Sequence, residues 1–509
     1  MTKKIITRFP PSPTGFLHVG SLRTALYNYL FAKKNQGKFL LRIEDTDQAR
    51  IVKGAIENLQ EILELFGLKW DNQQPIIQST RLKIYQKYAK QLVEENKAYY
   101  CFCSHQRLED LKVIQQQKKL PPMYDGKCRD LKKAEVEENL KTKKPHVSRF
   151  RMPKTGNTEF TDLVRGRVSF DNKTLDDQII LKSDGFPTYH LASVVDDHEM
   201  KVTHVIRGEE WLSSTPKHVL LYQALGWPAP EFAHLPLLLN ADRSKLSKRQ
   251  GDVAVEDYLA KGYLPQALLN FVLLLGWNPG TDQEIFDLKT MTEAFGLEKV
   301  NKAGAIFNTQ KLDWLNGYYL RQLPIKEFAQ TCIPHLIKAE LISPNFEAKE
   351  KVPDLTGYFG KEIVQNFTVQ ETKQKISFGQ LAKMVATEQQ RIKKLDEIAL
   401  ATEFFFKAPK YEAPLLLWKK MEKNQAADNL RLILEKLEKI SEKKWQQKNL
   451  ETEIKKLMAE KNSGAGEMLW PMRVALTGRK ASPGNFEVAE ALGKTESLIR
   501  IKTAIELLK

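Results

Sequence analysis

Ile5-Ile6-Thr7-Arg8-Phe9, followed by Pro10-Pro11-Ser12-Pro13-Thr14-Gly15-Phe16-Leu17-His18-Val19-Gly20, is the stretch on which the fold turns. Its β-branched and aromatic start reads as a strand, and the Pro, Ser, Thr and Gly residues after it read as a turn that ends the strand. Leu22, Ala25, Leu26, Tyr29 and Leu30 then fall at i, i+3, i+4, i+7 and i+8, one buried helical stripe, with Ser21 positioned to cap it. Phe39-Leu40-Leu41-Arg42-Ile43 is a second strand ending in Glu44-Asp45-Thr46-Asp47, and a second helix runs from about Val52 to Phe66. Strand, helix, strand, helix opens a doubly wound parallel sheet of the α/β class. At the turn, backbone N–H groups and the positive end of a helix dipole converge, which suits a phosphate. His18 sits on that turn, where a donor reaches the same anion, although a lone His-x-Gly is equally at home in a packed turn.

Further along, the periodicity weakens from about Ala98 to Thr188, which reads as an insertion into the sheet domain. Apolar and β-branched segments at Leu191 to Val195 and Val202 to Ile206 are expected to resume the sheet. Beyond about residue 330 strand signals nearly vanish, and Leu430, Ile433, Leu434, Leu437 and Ile440 keep helical spacing. Breaks at Ser463-Gly464-Ala465-Gly466 and Ser482-Pro483-Gly484 separate amphipathic segments, so the C-terminal third is expected to be all-α.

The 509 residues carry 79 Lys plus Arg against 63 Asp plus Glu, a formal charge of +16, which favours an anionic partner. No apolar run is long enough to span a bilayer, since Leu264 to Trp277 is interrupted by Pro265, Gln266, Asn270 and Gly276. The N-terminus lacks the apolar core of a signal peptide, and four cysteines in so long a chain fit a reducing compartment, so the expectation is a cytoplasmic protein with no membrane.

A second constellation is Leu238-Leu239-Asn240-Ala241-Asp242-Arg243-Ser244-Lys245-Leu246-Ser247-Lys248-Arg249-Gln250-Gly251, a cationic loop able to close on a polyphosphate. Alone it reads equally as a solvated surface loop. Paired with the His18 turn, it resembles the signatures of class I aminoacyl-tRNA synthetases. Thr7 to Gly15, Arg42 to Asp47, Tyr189 to His198, Val205 to Trp211, Lys245 to Arg249 and Trp470 to Gly478 narrow the resemblance to the glutamyl-tRNA synthetases of the bacterial type, over nearly the whole chain. One position departs, Ser21 standing where the family often has His.

The resemblance implies ATP with Mg2+ as nucleotide, L-glutamate as amino acid and tRNA(Glu) as acceptor, through a glutamyl-adenylate. It implies His18, Lys245 and Lys248 as catalytic residues, with Gly20, Ser247 and Arg249 joining them at ATP. It implies Arg8, Ser12, Glu44, Tyr189 and Arg207 around glutamate, and Arg391 at the anticodon. It also implies a domain sequence. Residues 1–97 and 189–240 form the Rossmann-type catalytic domain, 98–188 the inserted acceptor-binding domain and 241–335 the signature loop and stem-contact domain. Residues 336–404 and 405–509 form two helical anticodon-binding subdomains. A monomer is expected.

Cys101-Phe102-Cys103 with Cys128-Arg129-Asp130 has the donors of a structural zinc site, with Asp130, or else His105, as fourth ligand. The competing reading is ordinary free cysteines. Four functional alternatives stay open: a form that also charges tRNA(Gln), a glutaminyl-specific enzyme, a tRNA-modifying paralogue, and a non-catalytic tRNA-binding protein. The helical tail argues against the paralogue, Arg8 and Arg207 against glutamine, and the retained His18, Lys245 and Lys248 against a dead scaffold.

Overall fold

A computed structural model of the protein describes residues 4–246, 253–345 and 366–509. The chain forms two compact units, Met1–Leu259 with Pro265–Leu312, and Ala260–Leu264 with Asp313–Lys509.

In the first unit β1 (Ile6–Phe9) leads through the Pro/Gly turn into α1 (Val19–Lys34), which returns to β2 (Lys38–Ile43). The pair is parallel with Arg8 opposite Leu40. Leu22, Ala25, Leu26 and Leu30 are fully buried as their spacing requires, each leucine contributing roughly 1.5–3 kcal/mol. The cap of α1 is His18 and not Ser21: His18 is extended at φ −75° and ψ 144°, and its ring nitrogen accepts the Gly20 N–H, while Ser21 lies inside the first turn. α2 (Ala55–Leu65) starts later than expected because Gly54 is left-handed at φ 80°. β3 (Ile76–Ile77) adds parallel to β2, and α3 (Leu82–Glu94) follows.

The inserted stretch contains β4 (Ala98–Cys101), α4 (His105–Gln117), α5 (Lys133–Lys141), β5 (Val147–Phe150), β6 (Asn157–Asp162), β7 (Gly166–Asp171) and β8 (Ile179–Leu181). Strands β4, β5 and β8 form their own antiparallel sheet. The β6–β7 hairpin instead extends the parallel sheet, where Asp162 pairs with Phe232.

The sheet domain resumes with α6 (Tyr189–Glu199), β9 (His204–Gly208), α7 (Thr215–Ala224) and β10 (Glu231–Leu235). Leu191 to Val195 is therefore helix and not strand. All five residues are buried, and a short apolar run buried on every side has no period that distinguishes the two. β9 and β10 are parallel with Arg207 opposite His234, and the Thr203 N–H donates to the Ile6 carbonyl at 2.9 Å, setting β9 beside β1. The order β3–β2–β1 then reverses toward β9–β10, and ligands of doubly wound sheets bind at such a reversal, beyond the carboxyl ends of the strands. Arg8 and Arg207 lie near those ends.

The second unit is mainly helical, including Phe378–Ala386, Glu397–Phe406, Lys423–Glu438, Gln447–Glu460, Ala465–Thr477, Asn485–Leu492 and Lys494–Leu507. Leu430, Ile433 and Leu437 are fully buried; one helix begins at Ala465, within the first Gly-containing break, and another at Asn485, just after the second. One antiparallel sheet of Ile342–Pro344, Asn366–Val369 and Lys375–Ser377 departs from the all-α expectation. Its strands are three or four residues long, too short to show a period of two. Among the described residues no helix is long and apolar enough to cross a membrane.

Candidate active site

The turn after β1 is fixed from two sides. The Glu44 N–H donates to the Pro11 carbonyl at 2.9 Å, tying the turn to the end of β2, and the Val52 N–H donates to the Pro13 carbonyl at 2.9 Å. Ser12 itself is exposed on this loop. Beyond it, Val19 N–H donates to the Val253 carbonyl at 2.9 Å and Val255 N–H to the Leu17 carbonyl at 2.8 Å, with His18 facing Ala254 between them. The chain thus returns from the cationic loop directly to the His18 turn. His18 Nδ1 accepts the Gly20 N–H at 2.9 Å, so in the neutral ring the proton sits on Nε2, as a donor. A Cβ on Gly20 would stand 3.1 Å from Nδ1, which explains glycine there. On the outgoing side Leu239 bridges to Lys245, whose side chain is exposed. Ser247, Lys248 and Arg249 lie outside the described residues.

Around the sheet reversal the structure gathers an interlocked arginine cluster. Arg8 is fully buried; its Nε donates to Asp197 Oδ1 at 3.0 Å, while Nη1 has no partner. Arg42 donates to the same Asp197 oxygen at 2.6 Å and to Glu44 Oε1 at 2.8 Å. Two guanidinium groups on Asp197 outweigh its burial and hold its carboxyl below the usual range. Glu44 goes the other way, burial raising its pKa against the pull of Arg42 and Arg8.

Arg207 is held on every nitrogen. Its Nε donates to His234 Nε2 at 3.1 Å, Nη1 to the Tyr189 hydroxyl at 3.0 Å and Nη2 to Thr215 Oγ1 at 2.8 Å. Tyr189, whose hydroxyl pKa is raised by burial, feels Arg207, Glu44, Arg8 and Asp197 together, so all these groups share one neighbourhood. His190 Nδ1 and His218 Nε2 meet at 3.0 Å behind it. Burial together with nearby cations keeps both rings neutral, His190 pushed down to about 4 and His218 well below the usual value. Arg8, Glu44, Tyr189 and Arg207 are therefore brought together as the sequence predicts. Arg42, Asp197, Thr215, His218 and His234 were missed as members. The usable signal was a histidine and an aspartate inside otherwise apolar, buried stretches.

The sulfur atoms of Cys101, Cys103 and Cys128 lie within 4.8 Å of one another. Asp130 does not join them: it pairs with Arg151 at 3.1 Å, its side chain largely exposed. His105, exposed as the first residue of α4, also stays out. The fourth group is Tyr124, whose hydroxyl oxygen is 3.4 Å from Cys101 Sγ and 3.6 Å from Cys103 Sγ and accepts the Cys128 N–H at 2.9 Å. Burial pushes the Cys101 thiol up, yet hydrogen bonds from Tyr124 and Arg149 leave it lowered overall, whereas Cys103 is pushed up to about 11 by burial and its thiol neighbours. Three clustered thiols and a phenol fit a tetrahedral zinc ion with a closed shell.

In the second unit Arg391 pairs with Glu388 at 3.0 Å and donates to the Ser482 carbonyl at 3.1 Å. Arg473 donates to the same carbonyl at 3.0 Å, and burial plus the charge of Arg391 lowers its own proton affinity. Two like charges converging on one carbonyl make a place that an anion or a carbonyl-rich base edge would stabilise.

Residues 4–314 match the family described as tRNA synthetases class I (E and Q), catalytic domain, and residues 328–505 match an anticodon binding domain family. The chain is 42% identical over its full length to the whole of a glutamate–tRNA ligase from Clostridium botulinum (strain Eklund 17B / Type B). It is 44% identical to one from Clostridium novyi (strain NT), covering 100% of this chain and 99% of that protein. Among solved structures, a glutamate tRNA ligase from Elizabethkingia meningosepticum in complex with its amino acid superposes with a TM-score of 0.84 at 34% identity, over 100% of both chains.

Proposed function

The chain belongs to the glutamate–tRNA ligase family of class I tRNA synthetases, and from that premise we propose what its residues do. The reaction activates L-glutamate with ATP to glutamyl-adenylate and transfers the glutamyl group to the 3′-terminal adenosine of tRNA(Glu). Two carboxylates and an ammonium must be held while one carboxylate attacks the α-phosphate in line.

The observation that carries the site reading is Arg8, buried and locked by Asp197, with Nη1 unpartnered. A buried charged donor without a partner is costly unless a ligand supplies one. Arg8 and Arg207 take the carboxylates, Glu44 takes the ammonium through the oxygen that Arg42 leaves, and Tyr189 and Ser12 add hydrogen bonds. Glutamine would turn an amide N–H toward a guanidinium, donor against donor, which disfavours it.

On the phosphate side the amide groups of the α1 N-terminus, His18 Nε2–H and Lys245, with Lys248 and Arg249, offset charge building on the α-phosphate and the leaving pyrophosphate; Gly20 gives backbone access, and Ser247 joins them at ATP. No covalent enzyme intermediate is needed, so positioning and electrostatics supply the rate. ATP enters as its Mg2+ complex.

Cys101, Cys103, Cys128 and Tyr124 would hold zinc, which folds the inserted 98–188 segment, and Asp130 is not among the ligands. The inserted segment receives the acceptor end, 241–335 the stem, and 336–404 with 405–509 the anticodon, which Arg391 reads together with Arg473. The protein acts in the cytoplasm as a monomer. Charging of tRNA(Gln) with glutamate is the second reading to test.

The test is aminoacylation of purified tRNA(Glu) and tRNA(Gln) with labelled glutamate. Charging of tRNA(Glu) alone is the result expected of a discriminating enzyme; charging of both makes it non-discriminating, and charging of neither overturns the reading.

A further inference from the structure

Behind Arg207 lies a hydrogen-bonded chain that begins in the inserted segment. Asp162, the last residue of β6, and His234, the fourth of the five residues of β10, are both shut off from solvent. Asp162 Oδ2 meets His234 Nδ1 at 2.6 Å. Asp162 Oδ1 accepts three backbone N–H groups, from Val164 at 3.0 Å, Arg165 at 2.8 Å and His234 at 3.3 Å. Oδ1 is therefore saturated by backbone donors, and Oδ2 faces the imidazole.

A carboxylate can only accept, so His234 carries its proton on Nδ1 and presents the lone pair of Nε2 outward. That lone pair receives the Arg207 Nε–H at 3.1 Å. Thr215 Oγ1 lies 3.0 Å from the same nitrogen but sends its own proton to the Trp211 carbonyl at 3.1 Å while accepting from Arg207 Nη2. Burial and the neighbouring Arg207 charge lower the His234 pKa despite Asp162, in keeping with a neutral ring.

We propose that Asp162 is a positioning residue for glutamate: by fixing the tautomer of His234, it sets the orientation in which Arg207 meets the substrate carboxylate. The proposal rests on the assignment of Arg207 to glutamate.

Asp162→Asn exposes the mechanism because its geometry is forced. The three N–H groups keep the amide oxygen at the Oδ1 position, so the amide NH2 occupies the Oδ2 position and faces His234 Nδ1. The ring must then move its proton to Nε2, where it confronts the Arg207 Nε–H. His234→Asn does the converse: it keeps a donor for Asp162 and removes only the acceptor for Arg207.

The experiment uses the full chain in pyrophosphate exchange with tRNA(Glu) present, alongside 15N NMR of ring-labelled histidine. In D162N the His234 resonances shift from the Nδ1–H to the Nε2–H pattern, and the glutamate KM rises roughly tenfold or more, as expected for a lost hydrogen bond to a charged group. The ATP KM stays near its starting value. H234N reproduces the glutamate defect, and D162N adds nothing in an Arg207→Lys background. An unchanged glutamate KM in both variants, an unmoved tautomer, a parallel rise in the ATP KM, or full additivity with R207K overturns the proposal. If R207K itself leaves the glutamate KM untouched, the assignment of Arg207 fails first and the proposal with it.

Discussion

Arg207 and Arg391 carry the same guanidinium and are held in opposite ways. Arg207 is buried and engages His234, Tyr189 and Thr215 before any substrate arrives. Arg391 is half exposed and rests on Glu388 and one backbone carbonyl. Under the proposed roles, the difference follows the size of what each arginine would recognise. Glutamate offers only a few polar atoms, so the ordering cost has to be met by the protein in advance. A polynucleotide brings many contacts, so each arginine can stay partly solvated and still contribute to selection.

The comparison breaks most visibly at its buried end. Arg207→Ala is expected to raise the glutamate KM by about a hundredfold or more, in line with the roughly 3–5 kcal/mol cost of removing one partner from a buried charged network. The ATP KM stays nearly unchanged. Arg8→Ala should act in the same direction. A pyrophosphate-exchange titration that shows ordinary glutamate dependence in either variant would contradict the assignment.

Acid probes the same neighbourhood. His190 titrates near 6.5 in the unfolded chain but only at about 4 when folded. The contribution of its neutral ring to stability is therefore fully present above pH 6.5 and falls as pH drops toward 4, because the unfolded chain binds a proton that the folded one refuses. The loss approaches about 3 kcal/mol from this residue. Denaturant titrations between pH 7 and 4.5 should show that slope, and His190→Asn should flatten it; equal slopes in both proteins would show that the buried histidine is not the cause.

At the exposed end the effect is smallest. Arg391→Ala is expected to weaken tRNA by about 1–3 kcal/mol, read as a rise in the tRNA KM with the glutamate KM unmoved. A glutamate defect in this variant would erase the contrast between the two arginines.

Legibility divides along the same line. That Arg8, Glu44, Tyr189 and Arg207 share one neighbourhood could be read in advance because each lies in a motif quoted in chain order. Their supports could not. Asp162 and His234 are 72 residues apart, and nothing in a buried strand's sequence says which distant side chain will satisfy its one polar residue. Tyr124 was overlooked beside the cysteines for a related reason. It sits four positions before Cys128 in a loop, and only the folded loop turns its hydroxyl back onto the sulfur atoms. Strands of two to four residues and the buried run Leu191 to Val195 inside α6 were misread or unseen because such short segments have no distinguishing period.

The pair of backbone hydrogen bonds joining Leu17 and Val19 to Val255 and Val253 has a consequence for how such a protein can change over time. They pin the base of a long excursion of chain, and the entropy of closing a flexible loop grows only with the logarithm of its length, so doubling a surface loop within that excursion would cost just about 0.6 kcal/mol. Modules can be spliced into or pruned from the surface loops of that excursion while the pinned base keeps the His18 turn in place.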